Sequence, residues 1–213
     1  MVTVGDFVLQ DGHTVVMAGD SITACGRGDQ AELGNGYVRM IAALSAARRP
    51  GRHLRFINTG VAGNTIADLA ARWETDVLAH RPNWLSVSIG VNDVWRQVDS
   101  PGSGAGTPID QFTAVYRELL ERTRARCGGC GLILLTPSVI GEQPDSEGNQ
   151  LLGAYVEAVS QLAGCFNAFC VPIHQAFVEA LAAGSPSLTR DGVHPNDVGH
   201  ALIALTWLKT LGW

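Results

Sequence analysis

Five short runs of β-branched and aliphatic residues recur along the chain, and segments of helical period separate them. The runs are Thr14–Ala18, Leu54–Asn58, Leu85–Ile89, Gly131–Leu135 and Phe166–Val171. Helical spacing is found over Tyr37–Ala47, Ile66–His80, Ile109–Arg126, Leu151–Ala163 and about Asp197–Leu211. The last of these carries Val198, Leu202, Leu205 and Leu208 at helical intervals. A strand that is followed by a helix returns to the same edge of its sheet, so repetition of the unit builds a parallel sheet. The runs show little alternation of polar and apolar residues, as strands buried on both faces require. The expectation is an α/β fold: a three-layer α/β/α sandwich around a five-stranded parallel sheet, in one domain over residues 1–213. In such a sheet working groups gather at the carboxyl ends of the strands. Asp99–Pro108 and Pro137–Gln150 read as surface loops.

Composition narrows the function. With 46% hydrophobic and 16% charged residues the chain has the makings of a large core and is not a disordered polymer. A net charge of −5 and the lack of a basic helical face speak against a nucleic-acid partner. Arg48, Arg49, Arg52 and Arg55 read as a solvated loop. No apolar run approaches the ~18 residues that span a bilayer, and the start lacks the pattern of a secretory leader. The expectation is no membrane partner. Five cysteines, an odd number in a chain that needs no staples, suit a reducing cytoplasm. Cys127 and Cys130 follow a helix and precede a strand, whereas a reactive pair wants a helix N-terminus, and no second close pair completes a zinc site. The expectation is a protein with no metal and no cofactor.

The residues after each predicted strand carry the chemistry. Gly19-Asp20-Ser21-Ile22 follows the first, Gly60-Val61-Ala62-Gly63-Asn64 the second, and Gly90-Val91-Asn92-Asp93 the third. Near the end stands Asp191-Gly192-Val193-His194-Pro195. In a parallel sheet the first three turns share one edge, over which the last loop can fold. This ordered set resembles the GDSL/SGNH hydrolases, whose blocks supply a Ser, a Gly, an Asn, and an Asp with a His. The resemblance runs from Gly19 to Pro195 and implies a flavodoxin-like fold and a serine esterase.

Residue chemistry agrees with that implication. Ser21 needs an imidazole to take its proton; His194 can supply it and return it to the leaving alcohol. Asp191, three residues earlier, can reach the other ring nitrogen within one tight turn and fix the tautomer. The resemblance implies an oxyanion hole formed by the N–H groups of Ser21 and Gly63 and the side-chain amide of Asn92. Losing one such donor typically costs ~10²–10³ in rate. Asp20 and Asp93 are expected to hold their turns. The α/β-hydrolase elbow G-x-S-x-G is absent, since Thr stands at position 23.

The likeness extends to the stretch from Gly63 to Gln97 and is strongest to a bacterial branch that includes intracellular acetylxylan esterases. It implies an acetylated carbohydrate as the small-molecule substrate and a homo-oligomer. Trp95, three residues after Asn92, is placed to stack on a sugar or to wall a short acyl pocket. Tyr37 and Arg27 are further candidates for the mouth of the site. Trp73, Trp84, Trp207 and Trp213 are assigned to the core or to a subunit contact. Two alternatives stay open: a lysophospholipase or thioesterase on the same scaffold, and a non-catalytic carbohydrate-binding module.

Overall fold

A computed structural model describes residues 7–99 and 106–213 of the chain. The sheet has the strands β1 (Thr14–Gly19), β2 (Arg55–Asn58), β3 (Trp84–Ser88), β4 (Gly131–Leu135) and β5 (Phe169–Val171), all parallel, in the order β2-β1-β3-β4-β5. The helices are α1 (Ser21–Ala24), α2 (Tyr37–Arg48), α3 (Ile66–Ala71), α4 (Trp73–Asp76), α5 (Val91–Asp99), α6 (Ile109–Arg126), α7 (Glu147–Cys165), α8 (Ile173–Ala182) and α9 (Asp197–Thr210). They form two groups: α9 packs with α2 and α8, while α7 packs with α5 and α6, and α6 with α3. The sheet is the middle layer, as the apolar runs predict.

Each helical layer is pinned to its neighbours by a buried indole. Trp73 is fully enclosed and donates from Nε1 to Thr123 Oγ1 of α6 at 3.2 Å. Trp207 is equally enclosed and donates to Ser86 Oγ of β3 at 3.0 Å. A buried ring whose N–H finds an acceptor contributes its apolar area without a desolvation penalty. Trp84 and Trp213 are half-buried at the rim of the core.

Four local departures from the sequence expectation have physical causes. The predicted Ile66–His80 helix breaks at Arg72 into α3, α4 and a 3₁₀ turn over Leu78–His80. Helix α7 begins a turn earlier than Leu151, because Ser146 Oγ caps it by accepting the Asn149 N–H. Its polar first turn had hidden it from a search for apolar period. Strand β5 starts only at Phe169, since Phe166 closes α7 and Asn167 sits in the left-handed region at φ 48°. On α9 the inward stripe is His200, Ile203, Ala204, Trp207 and Leu208, leaving Val198 and Leu205 about half exposed. That helix is apolar on both faces, so spacing alone could not orient it.

The arginine cluster is no solvated loop. Arg52 Nη1 donates to the carbonyls of Phe7 and Leu9, the Arg49 guanidinium lies 5.5 Å over the Phe7 ring, and that of Arg48 lies 4.6 Å over Trp213. Together they clamp both ends of the described chain to α2. Of the predicted loop Asp99–Pro108, residues 100–105 lie outside the described residues.

Candidate active site

Strand order reverses between β1 and β3, whose connections leave the sheet in opposite directions and open a crevice at the carboxyl edge. Ser21 follows β1 and Asn92 follows β3, so the two predicted groups flank that crevice. Ser21 is the first residue of α1, set there by Asp20, whose Oδ1 accepts the Ile22 N–H at 2.9 Å. From the far end of the chain, the segment before α9 brings His194 over the edge. Ser21 Oγ lies 3.0 Å from His194 Nε2, and His194 Nδ1 lies 2.7 Å from Asp191 Oδ2. The other Asp191 oxygen accepts the N–H groups of Val193 and His194 at 3.0 and 2.8 Å, which wraps the loop around the carboxylate. Partial burial works to raise the Asp191 carboxyl, but those amides and the imidazole outweigh it and hold it at about 2. With Nδ1 paired to an anion, the ring proton sits there and Nε2 presents its lone pair to Ser21.

The expected oxyanion donors Gly63 and Asn92 lie on the connections that follow β2 and β3. Gly63 has φ +78°, a conformation that costs any residue with a Cβ. Its carbonyl is gripped by Arg96 Nη2 at 2.5 Å. Asn92 Nδ2 donates to the Asn64 carbonyl at 3.1 Å, which orients the amide and leaves its second proton for another acceptor. Asp93 is enclosed and accepts the Ile66 N–H at 3.0 and 3.2 Å, locking the β3 turn to the start of α3. Burial outweighs these bonds and pushes its carboxyl up to about 6.

Three positioning residues had no signal in sequence. The Arg72 guanidinium donates to Gly19 O at 2.9 Å, Thr59 O at 2.6 Å and Asn64 Oδ1 at 2.6 Å, joining the Ser21, Gly60 and Asn64 turns through one cation. Arg96 is the second. The third is Glu142, whose Oε1 collects the N–H groups of Leu188 and Thr189 and two hydroxyls at 2.7–2.9 Å, anchoring the base of the His194 loop. An arginine mid-helix and a glutamate in a loop look like solvated charges until the fold brings carbonyls or amides to them.

Trp95 stands at the site, half-buried, its ring edge-on to His194 at 6.2 Å and 81°. Tyr37 does not line the mouth. It is 1% exposed, with its hydroxyl 2.9 Å from Thr23 Oγ1, because α2 carries it beneath α1 rather than over the cleft. Arg27 is also displaced: it donates twice to the Gly60 carbonyl and borders a separate surface cleft with Asp29 and Glu32. The triad cleft has a volume of about 380 Å³. A larger groove of about 740 Å³ between α8 and α9 contains none of these groups. Cys127 closes the C-terminal end of α6, and burial raises its thiol despite the nearby Arg126 and pushes that of Cys130 up to about 12, so neither is an activated thiolate.

Asp20 stores a pH dependence. Enclosure in the protein, chiefly, and the nearby Asp93 charge raise its carboxyl from 3.8 to about 7. A carboxyl whose folded value is raised holds its proton longer in the native state, so stability falls as pH climbs from about 4 to 7. Asp20→Asn keeps an acceptor for the Ile22 N–H and removes the buried charge. Its melting temperature relative to wild type is expected to rise between pH 5 and pH 8, followed by calorimetry. A difference that is constant across that range overturns the assignment.

Comparison with known proteins agrees with this architecture. Residues 17–202 match the model of the GDSL-like Lipase/Acylhydrolase family. An acetylxylan esterase from Geobacillus stearothermophilus is 37% identical over 210 residues, covering 95% of each chain. The crystal structure of Axe2, an acetylxylan esterase from that organism, superposes with a TM-score of 0.90 at 35% identity, over 100% of this chain and 97% of that one. A catalytic mutant of Axe2 gives 0.91 at 36% identity, over 96% of both chains. LAE5, an alpha/beta hydrolase enzyme from the metagenome of Lake Arreo, Spain, gives 0.90 at 33% identity, over 97% of this chain and 98% of that one. Fold, ordered motifs and full-length similarity converge: the chain belongs to the GDSL-like lipase/acylhydrolase family.

Proposed function

We propose that the protein is a serine esterase that removes acetyl groups from acetylated xylo-oligosaccharides or related carbohydrates. The observation that carries the reading is the continuous relay from Ser21 Oγ to His194 Nε2 at 3.0 Å and from His194 Nδ1 to Asp191 at 2.7 Å. As His194 takes the Ser21 proton, Oγ attacks the acetyl carbonyl. The N–H groups of Ser21 and Gly63 and the Asn92 amide receive the oxyanion. Collapse expels the sugar alcohol, which leaves with the proton from His194. A water, deprotonated by the same imidazole, then attacks the acetyl-serine and releases acetate. Asp191 remains a carboxylate throughout and stabilises the imidazolium.

The substrate reading draws on the acetylxylan esterase relatives, on Trp95 beside His194, and on the short open cleft. Its test is acetate release from acetylated xylo-oligosaccharides, with p-nitrophenyl acetate and octanoate alongside. Acetate release with little octanoate turnover is expected. Turnover of octanoate alone moves the protein to the lysophospholipase or thioesterase class, and no turnover of any ester leaves a carbohydrate-binding module. We further propose a cytoplasmic homo-oligomer. Among the described residues no helix is long and apolar enough to cross a membrane, and α9 presents Val198 and Leu205 outward. A single monomeric species across a concentration series in sedimentation removes the oligomer.

A further inference from the structure

The cleft beside Ser21 holds a second imidazole that the reaction above does not use. His200, in the first turn of α9, is 2% exposed and shares this cleft with Ser21 and His194. Three contacts fix its ring. Nδ1 accepts the Tyr37 N–H at 3.2 Å; Gly36, the N-cap of α2, has no side chain to do so, and His200 caps that helix from outside. The Tyr37 ring stacks on the imidazole at 6.3 Å and 16°. On the remaining edge Gly36 packs so closely that a Cβ there would fall 2.7 Å from Cε1 and 2.8 Å from Nδ1. Burial first, and then the Arg190 charge, pull the ring down to about 4, so it is neutral at physiological pH. A neutral ring that accepts at Nδ1 carries its proton on Nε2. That N–H has no acceptor among the described residues, and it is not sealed in the core with the enclosed unpaired atoms of Ser45, Tyr116 and Ser138.

The position of this donor decides what it can meet. His194 Nε2 returns a proton to the departing alcohol, so the alcohol half of the ester lies against the 190–200 segment. His200 and Arg190 both border the cleft there. Both are donors, and neither offers an acceptor or an apolar wall. We propose that His200 is a specificity-determining residue, its Nε2–H donating to a hydroxyl oxygen on the alcohol half of a polyhydroxylated ester. The assignment rests on the esterase reading of Ser21 and adds the group that distinguishes a polyol ester from a simple one. A hydroxylated alcohol replaces cleft water on the donor with an equivalent acceptor. A plain alcohol strips the water and leaves the donor unpaired.

Two variants separate this role from the capping role. In His200→Asn, Oδ1 takes the place of Nδ1 and keeps the Tyr37 N–H, while the Nε2 donor is lost. In His200→Gln, the amide nitrogen takes the place of Nε2, while the cap is lost. The readout is the ratio of kcat/KM for acetylated xylobiose and for glycerol monoacetate to that for p-nitrophenyl acetate, with a melting curve for each protein. In His200→Asn the ratio is expected to fall about tenfold, through KM of the hydroxylated esters, with melting close to wild type. In His200→Gln melting drops and the ratio is retained. An unchanged ratio in His200→Asn overturns the proposal, as does loss of the ratio in His200→Gln. The latter result also decides the matter if His200→Asn does not fold. Failure of the sugar reading looks different: wild type then ignores acetylated xylobiose but hydrolyses glycerol monoacetate with the His200 dependence intact. A wild type that turns over neither hydroxylated ester ends both readings.

Discussion

Replacing Ser21 by Ala is expected to lower kcat on p-nitrophenyl acetate by about 10⁴–10⁶ while the melting temperature stays close to wild type. The loss is large because, among the described residues, Ser21 is the hydroxyl that meets His194 Nε2, at 3.0 Å. The fold is spared because Ser21 is only partly buried, and its Oγ hydrogen bond runs to a loop residue outside the core. His194→Ala should cost a similar factor, and the double variant little more than either alone, since nucleophile and base act as one unit. Burst kinetics with wild type and single-turnover assays with each variant check this. A Ser21→Ala protein retaining a tenth or more of wild-type activity overturns the mechanism.

Asp191→Asn should cost about 10⁴ in kcat with the loop in place. An amide at this position can still accept the Val193 and His194 N–H groups through one oxygen, as Asp191 Oδ1 does at 3.0 and 2.8 Å. Its nitrogen then faces His194 Nδ1 as a donor. The imidazole must answer with a lone pair there, which moves its proton to Nε2, where Ser21 needs an acceptor. The same change removes the anion that stabilises the imidazolium in the transition state. Imidazole proton signals should show the tautomer reversed in the variant. A loss below about tenfold, with the tautomer unchanged, removes Asp191 from its role.

Much of this arrangement was legible in the residues. The five apolar runs located the strands to within a few residues, because a strand buried on both faces leaves no polar alternation to confuse the reading. Ser21, Gly63, Asn92, Asp191 and His194 stood out through the resemblance of their ordered motifs, and the structure brings Ser21, His194 and Asp191 into one hydrogen-bonded chain. Hidden from view were groups whose roles are conferred by distant partners. Arg72 acts through the carbonyls of Gly19 and Thr59, Glu142 through amides some 46 residues away, and His200 through the first N–H of α2. Tyr37 was misplaced for the converse reason. An aromatic residue at a helix start suits a cleft wall or a core equally, and here the Thr23 hydroxyl drew it inward. Helices α5 and α8 went unnoticed, each being too short to display a full apolar stripe.

His194 and its carboxylate partner travel together. Asp191 holds the imidazole and the amides of Val193 and His194 within a single turn, so the mutual geometry of carboxylate and imidazole is set locally. Only one contact of the relay, the 3.0 Å approach of Ser21 to His194, joins parts of the chain that are 173 residues apart. Reactivity therefore depends on the one place where the turn after β1 meets the loop before α9. A separation of that loop from the sheet edge would break the contact with the serine and leave the imidazole–carboxylate pair intact.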